Sequence, residues 1–117
     1  MSLLQIGVDL DTKNRFNMLK TYFNGLRLGE TRVYETNHGF HVKIEKLVNV
    51  DENMEARRTL GDDIKRLEID EKKIDIGLFR FVDTLFTHKK YPDGSTSEEV
   101  LIDPLAEQFW GVNSLVY

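Results

Sequence analysis

Two short segments of this chain alternate strictly between apolar and polar side chains, and that alternation limits the fold more than any other feature. In the first, Ile6, Val8 and Leu10 interleave with Gly7, Asp9 and Asp11. In the second, Phe40, Val42 and Ile44 interleave with His41, Lys43 and Glu45. A period of two is the signature of a strand with one face on a core and the other turned away from it. Two carboxylates and a histidine would then project from one open sheet face. Such a face suits a divalent-metal phosphoryl-transfer site, and an ordinary solvated sheet can carry the same residues.

The order of elements around these strands follows from local signals. Leu3 to Leu10 reads as the first strand, and Asp11 or Thr12 as the N-cap of a helix. Phe16, Leu19, Phe23 and Leu26 recur at helical spacing through that helix, with Gly25 and Gly29 at its exit. Thr31 to Thr36 and Phe40 to Val48 form a hairpin about Asn37, His38 and Gly39, residue types that tolerate positive φ. A second helix follows Asp51 and stops at Gly61. Leu67 to Asp70 alternates again and reads as a fourth strand. Leu78 to Thr87 reads as a long, mostly buried strand, turned at Pro92, Asp93 and Gly94 into Glu99 to Ile102. Pro104 opens a short terminal helix carrying Leu105, Phe109 and Trp110.

This order predicts one α+β domain over residues 1–117: an RRM-like or palm-like βαββαβ core with a mostly antiparallel sheet and helices on one face. A C-terminal β-hairpin and short helix complete it. In that topology the first and third strands are antiparallel neighbours, which brings Asp9 and Asp11 toward His41.

Composition narrows the chemistry. The chain has 117 residues, is 40% hydrophobic and 31% charged, and contains no cysteine. Disulfides, thiol catalysis and thiolate zinc sites are excluded, so any metal takes oxygen or imidazole ligands. No apolar run approaches the roughly 20 residues needed to span a bilayer. The reading is a cytoplasmic protein without membrane association. The net charge of −4 does not advertise nucleic-acid binding, although basic residues gather at Arg57, Arg58, Lys65, Arg66, Lys72 and Lys73. A basic rim around an acidic centre would suit a phosphate-bearing substrate, and a solvated helix surface would look the same.

Asp9 and Asp11 are the leading metal ligands, for Mg²⁺ or Mn²⁺, which prefer carboxylate oxygen. The bland reading is that Asp11 caps the helix and Asp9 is exposed. Asp70 would supply a third carboxylate, with Arg66 or Lys43 contacting phosphate as a cation. Asp83 is a second choice for that acid, or a buried structural one. His41 could orient a triphosphate or donate a proton to a leaving group. The His38/His41 pair has the wrong spacing and scaffold for a zinc protease.

Val8–Asp9–Leu10–Asp11, then the run Thr36 to His41, then Leu67 to Asp70, resembles the catalytic core of the archaeo-eukaryotic primase (prim-pol) superfamily over about residues 3–75. The resemblance implies that Asp9, Asp11 and Asp70 bind metal and that His41 contacts nucleotide phosphate, in a minimal or degenerate palm. Thr36 stands where that family usually has serine, and the chain is short for the module that normally closes a primase site. Its small size also resembles that of uncharacterised archaeal virus proteins, in which case its setting is the host cytoplasm.

Two other enzyme or binding classes fit less well. An RNA-recognition motif would turn Phe40 outward and bury His41, Lys43 and Glu45, which is costly without partners. A rolling-circle nuclease would need two histidines separated by one residue, whereas two residues separate His38 and His41, and Tyr91 lies beside Pro92 rather than on a helix. The expected function is therefore a nucleic-acid- or nucleotide-binding domain with metal-dependent phosphoryl transfer. The non-enzymatic alternative is a small homodimeric binding or assembly protein, for which Phe79, Phe81, Leu85, Phe86, Phe109 and Trp110 would supply apolar surface.

Overall fold

The structure is a computed structural model that describes residues 3–85, 88–90, 92–94 and 96–106. It is an α+β fold with a four-stranded antiparallel sheet in the order β1-β3-β2-β6. The strands are β1 (Leu4–Leu10), β2 (Glu30–Glu35), β3 (Phe40–Val48) and β6 (Val100–Ile102), and the helices are α1 (Arg15–Leu26), α2 (Val50–Leu60) and α3 (Ile64–Asp75). A 3₁₀ turn spans Phe79–Phe81, and β4 (His88–Lys90) pairs with β5 (Thr96–Glu98) as a separate ribbon.

The period-two reading fixes the register. Val8 lies opposite Val42 and Ile6 opposite Ile44, and Val33 of β2 also faces Val42. These residues are buried with Leu10, Met18, Phe40 and Leu60 in the main core, beneath α1 and α2. Gly39 makes the close approach of the β2–β3 turn possible, since a Cβ there would sit 1.7 Å from the Leu10 carbonyl oxygen.

The helix ends follow capping chemistry. Asn14, rather than Asp11 or Thr12, caps α1: its side chain accepts from the Phe16 and Asn17 amides. Asp11 is thereby released from the capping role. Asn49 and Glu52 form a reciprocal capping box on α2, which ends at Gly61 with φ of 84°. The apolar line of α1 does not face the sheet as a whole. Its buried residues are Met18, Thr21 and Gly25, while Phe16 is 76% and Phe23 48% exposed.

Three further expectations are corrected. Leu67 to Asp70 is not a strand but the middle of α3, whose N-cap is Asp63. Helix-favouring Lys, Arg, Leu and Glu dominate this segment, and its inward stripe is Leu67, Asp70 and Ile74, in which the acid disguises the helical period. Leu78 to Thr87 is not a long strand: its described part is the 3₁₀ turn followed by Asp83, a non-glycine residue with φ of 58°. Glu99 to Ile102 does not pair with it either. The β4 strand returns through Pro92–Gly94 into β5, and β6 joins the main sheet beside β2, with Tyr34 opposite Leu101. Where the terminal helix was expected to open, Pro104 and Leu105 form a turn; the rest of that segment, including Phe109 and Trp110, lies outside the described residues, as does Phe86.

Because no fourth strand is added beside β1, its outer edge would otherwise leave backbone groups without partners inside the protein. Side chains supply them. The Gly7 amide donates to Asp83 Oδ2 (2.6 Å) and the Asp9 amide to Asp62 Oδ1 (2.8 Å). Asn53 Nδ2 donates to the Gln5 carbonyl and Arg66 Nη1 to the Gly7 carbonyl. The Asp63 amide closes the series on the Asp9 carbonyl. Gly7 lets the 83–85 segment come this close, since a Cβ there would lie 2.7 Å from Leu85 Cδ1 and 2.8 Å from Asp83 Oδ1.

Those capping carboxylates are held by buried charge. Arg57, fully buried, places Nε 2.7 Å from Asp62 Oδ2 and Nη2 2.7 Å from Asp70 Oδ2. The second contact is coulombic, because the Nη2–H bonds are not directed along it. Arg66 spans Asp62 and Asp83, at 2.7 Å each, and Lys73 lies 3.4 Å from Asp70. Three cations thus face three carboxylates, which is the condition under which buried charge is tolerated. Arg57 is therefore not part of a solvated basic rim, contrary to its sequence reading.

Candidate functional site

The register places Asp9 directly opposite His41, and Tyr34 on the far side of His41. The antiparallel neighbour relation expected of β1 and β3 thus brings carboxylate and imidazole together: His41 Nε2 lies 3.7 Å from Asp9 Oδ1. At that distance no hydrogen bond joins the two groups, and they attract as an ion pair only while the imidazole is protonated. His41 Nδ1 is 2.8 Å from Glu99 Oε2, and Lys43 Nζ is 2.5 Å from Glu99 Oε1. One carboxylate therefore bridges the two polar side chains that alternation had placed on this face.

Glu99 was not singled out by the sequence, and it had no local signal to find it by. It lies 58 residues from His41 and reaches it because β6 pairs with β2. With Glu99 and the 83–85 segment over it, this sheet face is partly covered rather than open. The His41 side chain is only 9% exposed.

A cleft of about 320 Å³ opens beside this pair, and Asp9, Asp11, His38, His41, Lys65, Arg66 and Glu99 contribute to its wall. It is bounded by the end of β1, the β2–β3 turn and the first turn of α3. Asp9 is a third exposed at its side chain and Asp11 is exposed. Burial pushes the Asp9 carboxyl above its ordinary value, and Asp62 and Asp63 add to that effect; His41 and Arg66 pull against it without cancelling it. Glu99 goes the other way. Burial alone would raise its carboxyl, but the hydrogen bonds and charges of Lys43 and His41 outweigh it and hold it below the ordinary value.

The other sequence candidates have different surroundings. Asp70 is buried in α3 against Arg57 and Lys73, and its Oδ2 also accepts from the Asp83 amide. It does not contribute to the wall of the cleft. Arg66 does, but its guanidinium is bound to Asp62 and Asp83; burial would lower its proton affinity, and those two carboxylates raise it instead. Lys43 is engaged with Glu99 and lies 4.5 Å over the Tyr34 ring. Asp83, the alternative third acid, is a structural acceptor for the Gly7 amide, Asn53 and Arg66.

Among the described residues no three His, Asp or Glu side chains are placed to hold a metal ion together. The donor set facing the cleft from the sequence pattern is Asp9 and Asp11. Two carboxylates suit a hard cation that takes its remaining ligands from phosphate and water. They do not by themselves suit a three-acid cage.

No protein-family model, curated protein or solved structure matches the chain. No helix among the described residues is long and apolar enough to cross a membrane.

Proposed function

We propose that this cleft binds a nucleotide, or the phosphodiester of a nucleic acid, through a divalent cation held by Asp9 and Asp11, in a palm-like domain for phosphoryl transfer of the primase–polymerase kind. The observation that carries this reading is the convergence of Asp9, Asp11 and His41 on one cleft that Lys65 and Arg66 also border. When bound, Mg²⁺ or Mn²⁺ supplies charge neutralisation at the phosphate oxygens. His41 faces the same space with Nε2, its other nitrogen being taken by Glu99. Lys65 adds a cation at the mouth. Asp70 has no part in this site, so the reading is of one cation completed by substrate phosphate rather than a cage of three protein acids.

Calorimetric titration of a nucleoside triphosphate in the presence of Mn²⁺ tests this. Wild type should bind saturably at up to millimolar metal, and Asp11→Ala, an exposed substitution, should weaken binding without altering the fold. Failure of wild type to bind the metal–nucleotide complex would remove the proposal.

A second reading, a non-enzymatic homodimer, is favoured by Ile64 and Ile69 on α3 and Ile76 at its C-cap, which are 70%, 53% and 72% exposed. Equilibrium sedimentation distinguishes it: a monomer at high concentration would contradict it.

A further inference from the structure

Helix α1 is turned against its own apolar pattern. Met18, Thr21 and Gly25 face the sheet, and half a turn away Phe16, Lys20, Phe23 and Arg27 follow at i, i+4, i+7 and i+11. All four are exposed, the two phenylalanines by 76% and 48%. Aromatic and cationic side chains thus alternate along one line at the outermost part of the helix. Residues 13–27 carry four basic residues and no acid, in a chain whose net charge is −4. Lys13 and Arg15 are shared with Glu35, whereas Lys20 and Arg27 form no ion pair among the described residues.

The line adjoins the candidate site. Asp9, Asp11, Lys20 and Asn24 border one depression between α1 and α2, and Asn24 and Arg27 border the next. The first depression shares Asp9 and Asp11 with the acidic cleft, and Asn24 borders both depressions along the flank of α1.

We infer that the outer face of α1 is a track for single-stranded nucleic acid, with bases stacked on Phe16 and Phe23 and phosphates met by Lys20 and Arg27. This rests on the proposed phosphate site in one respect, that the strand would lead into it. Charge complementarity selects an anionic partner, since a second copy would set the same cations against each other. The interleaving selects among anionic partners. Flat unstacked bases linked by phosphates present stacking faces and charges in alternation. A helix that lies on a lipid surface instead separates an apolar face from a cationic one. The base pairs of a duplex hide the faces that phenylalanine would need.

The test is fluorescence anisotropy with a labelled oligothymidylate and wild-type protein, with anionic phosphatidylserine vesicles as the parallel probe. Phe16→Ala and Phe23→Ala should each weaken strand binding by about five- to 150-fold, the range for loss of one stacked base. Log affinity should fall against log salt with a slope of about −1.4 for two phosphate contacts, and Lys20→Ala or Arg27→Ala should reduce it by about 0.7. No strand binding by wild type, binding indifferent to all four substitutions, or binding to vesicles but not to the strand would each overturn the inference. Strand binding without metal–nucleotide binding would preserve the track and remove the cleft proposal.

Discussion

Glu99 Oε2 lies 2.8 Å from His41 Nδ1, while its other oxygen holds Lys43. The carboxylate accepts the Nδ1 proton, so the neutral imidazole carries its lone pair on Nε2, the nitrogen that faces Asp9. A residue brought in by the edge strand β6 thereby decides which nitrogen of a β3 histidine is available to a ligand. Glu99 is a positioning residue in this arrangement.

Glu99→Ala should therefore shift neutral His41 toward the Nε2–H tautomer, read from long-range ¹⁵N–¹H correlations, and cost about 1.5–3 kcal/mol in urea unfolding, as expected for hydrogen bonds to a charged group. The pH dependence has a defined sign. The Glu99 carboxyl is lowered from its ordinary 4.5, so its contribution is fully present above that pH. It is lost as pH falls below 4.5 through the folded-state value. In Glu99→Ala that part of the acid-side loss should disappear.

Asp9 carries the opposite linkage. Its carboxyl is raised from 3.8, chiefly by burial, so folding disfavours its ionised form. The cost is absent below 3.8 and reaches its full size once pH has risen past the folded-state value. Asp9→Asn should accordingly be more stable than wild type at neutral pH and show no such gain in acid. Thermal unfolding at the two pH values checks this. A neutral-pH loss of stability would mean that the contacts of Asp9 with His41 and Arg66 outweigh its burial.

Arg57 holds Asp62 and Asp70 from within the protein, and its removal leaves buried carboxylates uncompensated. Arg57→Ala should cost about 3–5 kcal/mol in urea unfolding. Lysine should not rescue it, because one ammonium cannot reproduce the directions of the guanidinium fork. In the alanine variant the Gly7 and Asp9 amides, which depend on Asp83 and Asp62, should lose more hydrogen-exchange protection than those of β3.

The parts legible in the sequence are those that local periodicity determines. Alternation at Ile6–Leu10 and Phe40–Ile44 gave the core face, while the β1–β3 pairing that joins Asp9 to His41 followed from the element order read as a split βαβ topology. The α3 helix was not legible as one, because Asp70 occupies an inward position where an apolar residue would have revealed the period of 3.6. Burial of Asp70 depends on Arg57, thirteen residues earlier, and Arg57 itself reads as a surface cation. Glu99 was hidden for a related reason: its role arises from strand pairing across 58 residues and leaves no mark in its own segment. The α1 line of Phe16, Phe23 and Leu26 has helical spacing, but spacing alone does not tell which side of a helix meets the sheet.

Paramagnetic broadening tests the proposal that Asp9 and Asp11 hold a divalent cation on a nucleotide's phosphates. Substoichiometric Mn²⁺ would be added to ¹⁵N-labelled protein with a nucleoside triphosphate. Selective loss of the resonances of Asp9, Asp11, Gly39 and His41 is expected, with recovery of those signals in Asp9→Ala/Asp11→Ala. Broadening that is absent, spread evenly over the protein, or unchanged in the double variant would contradict it.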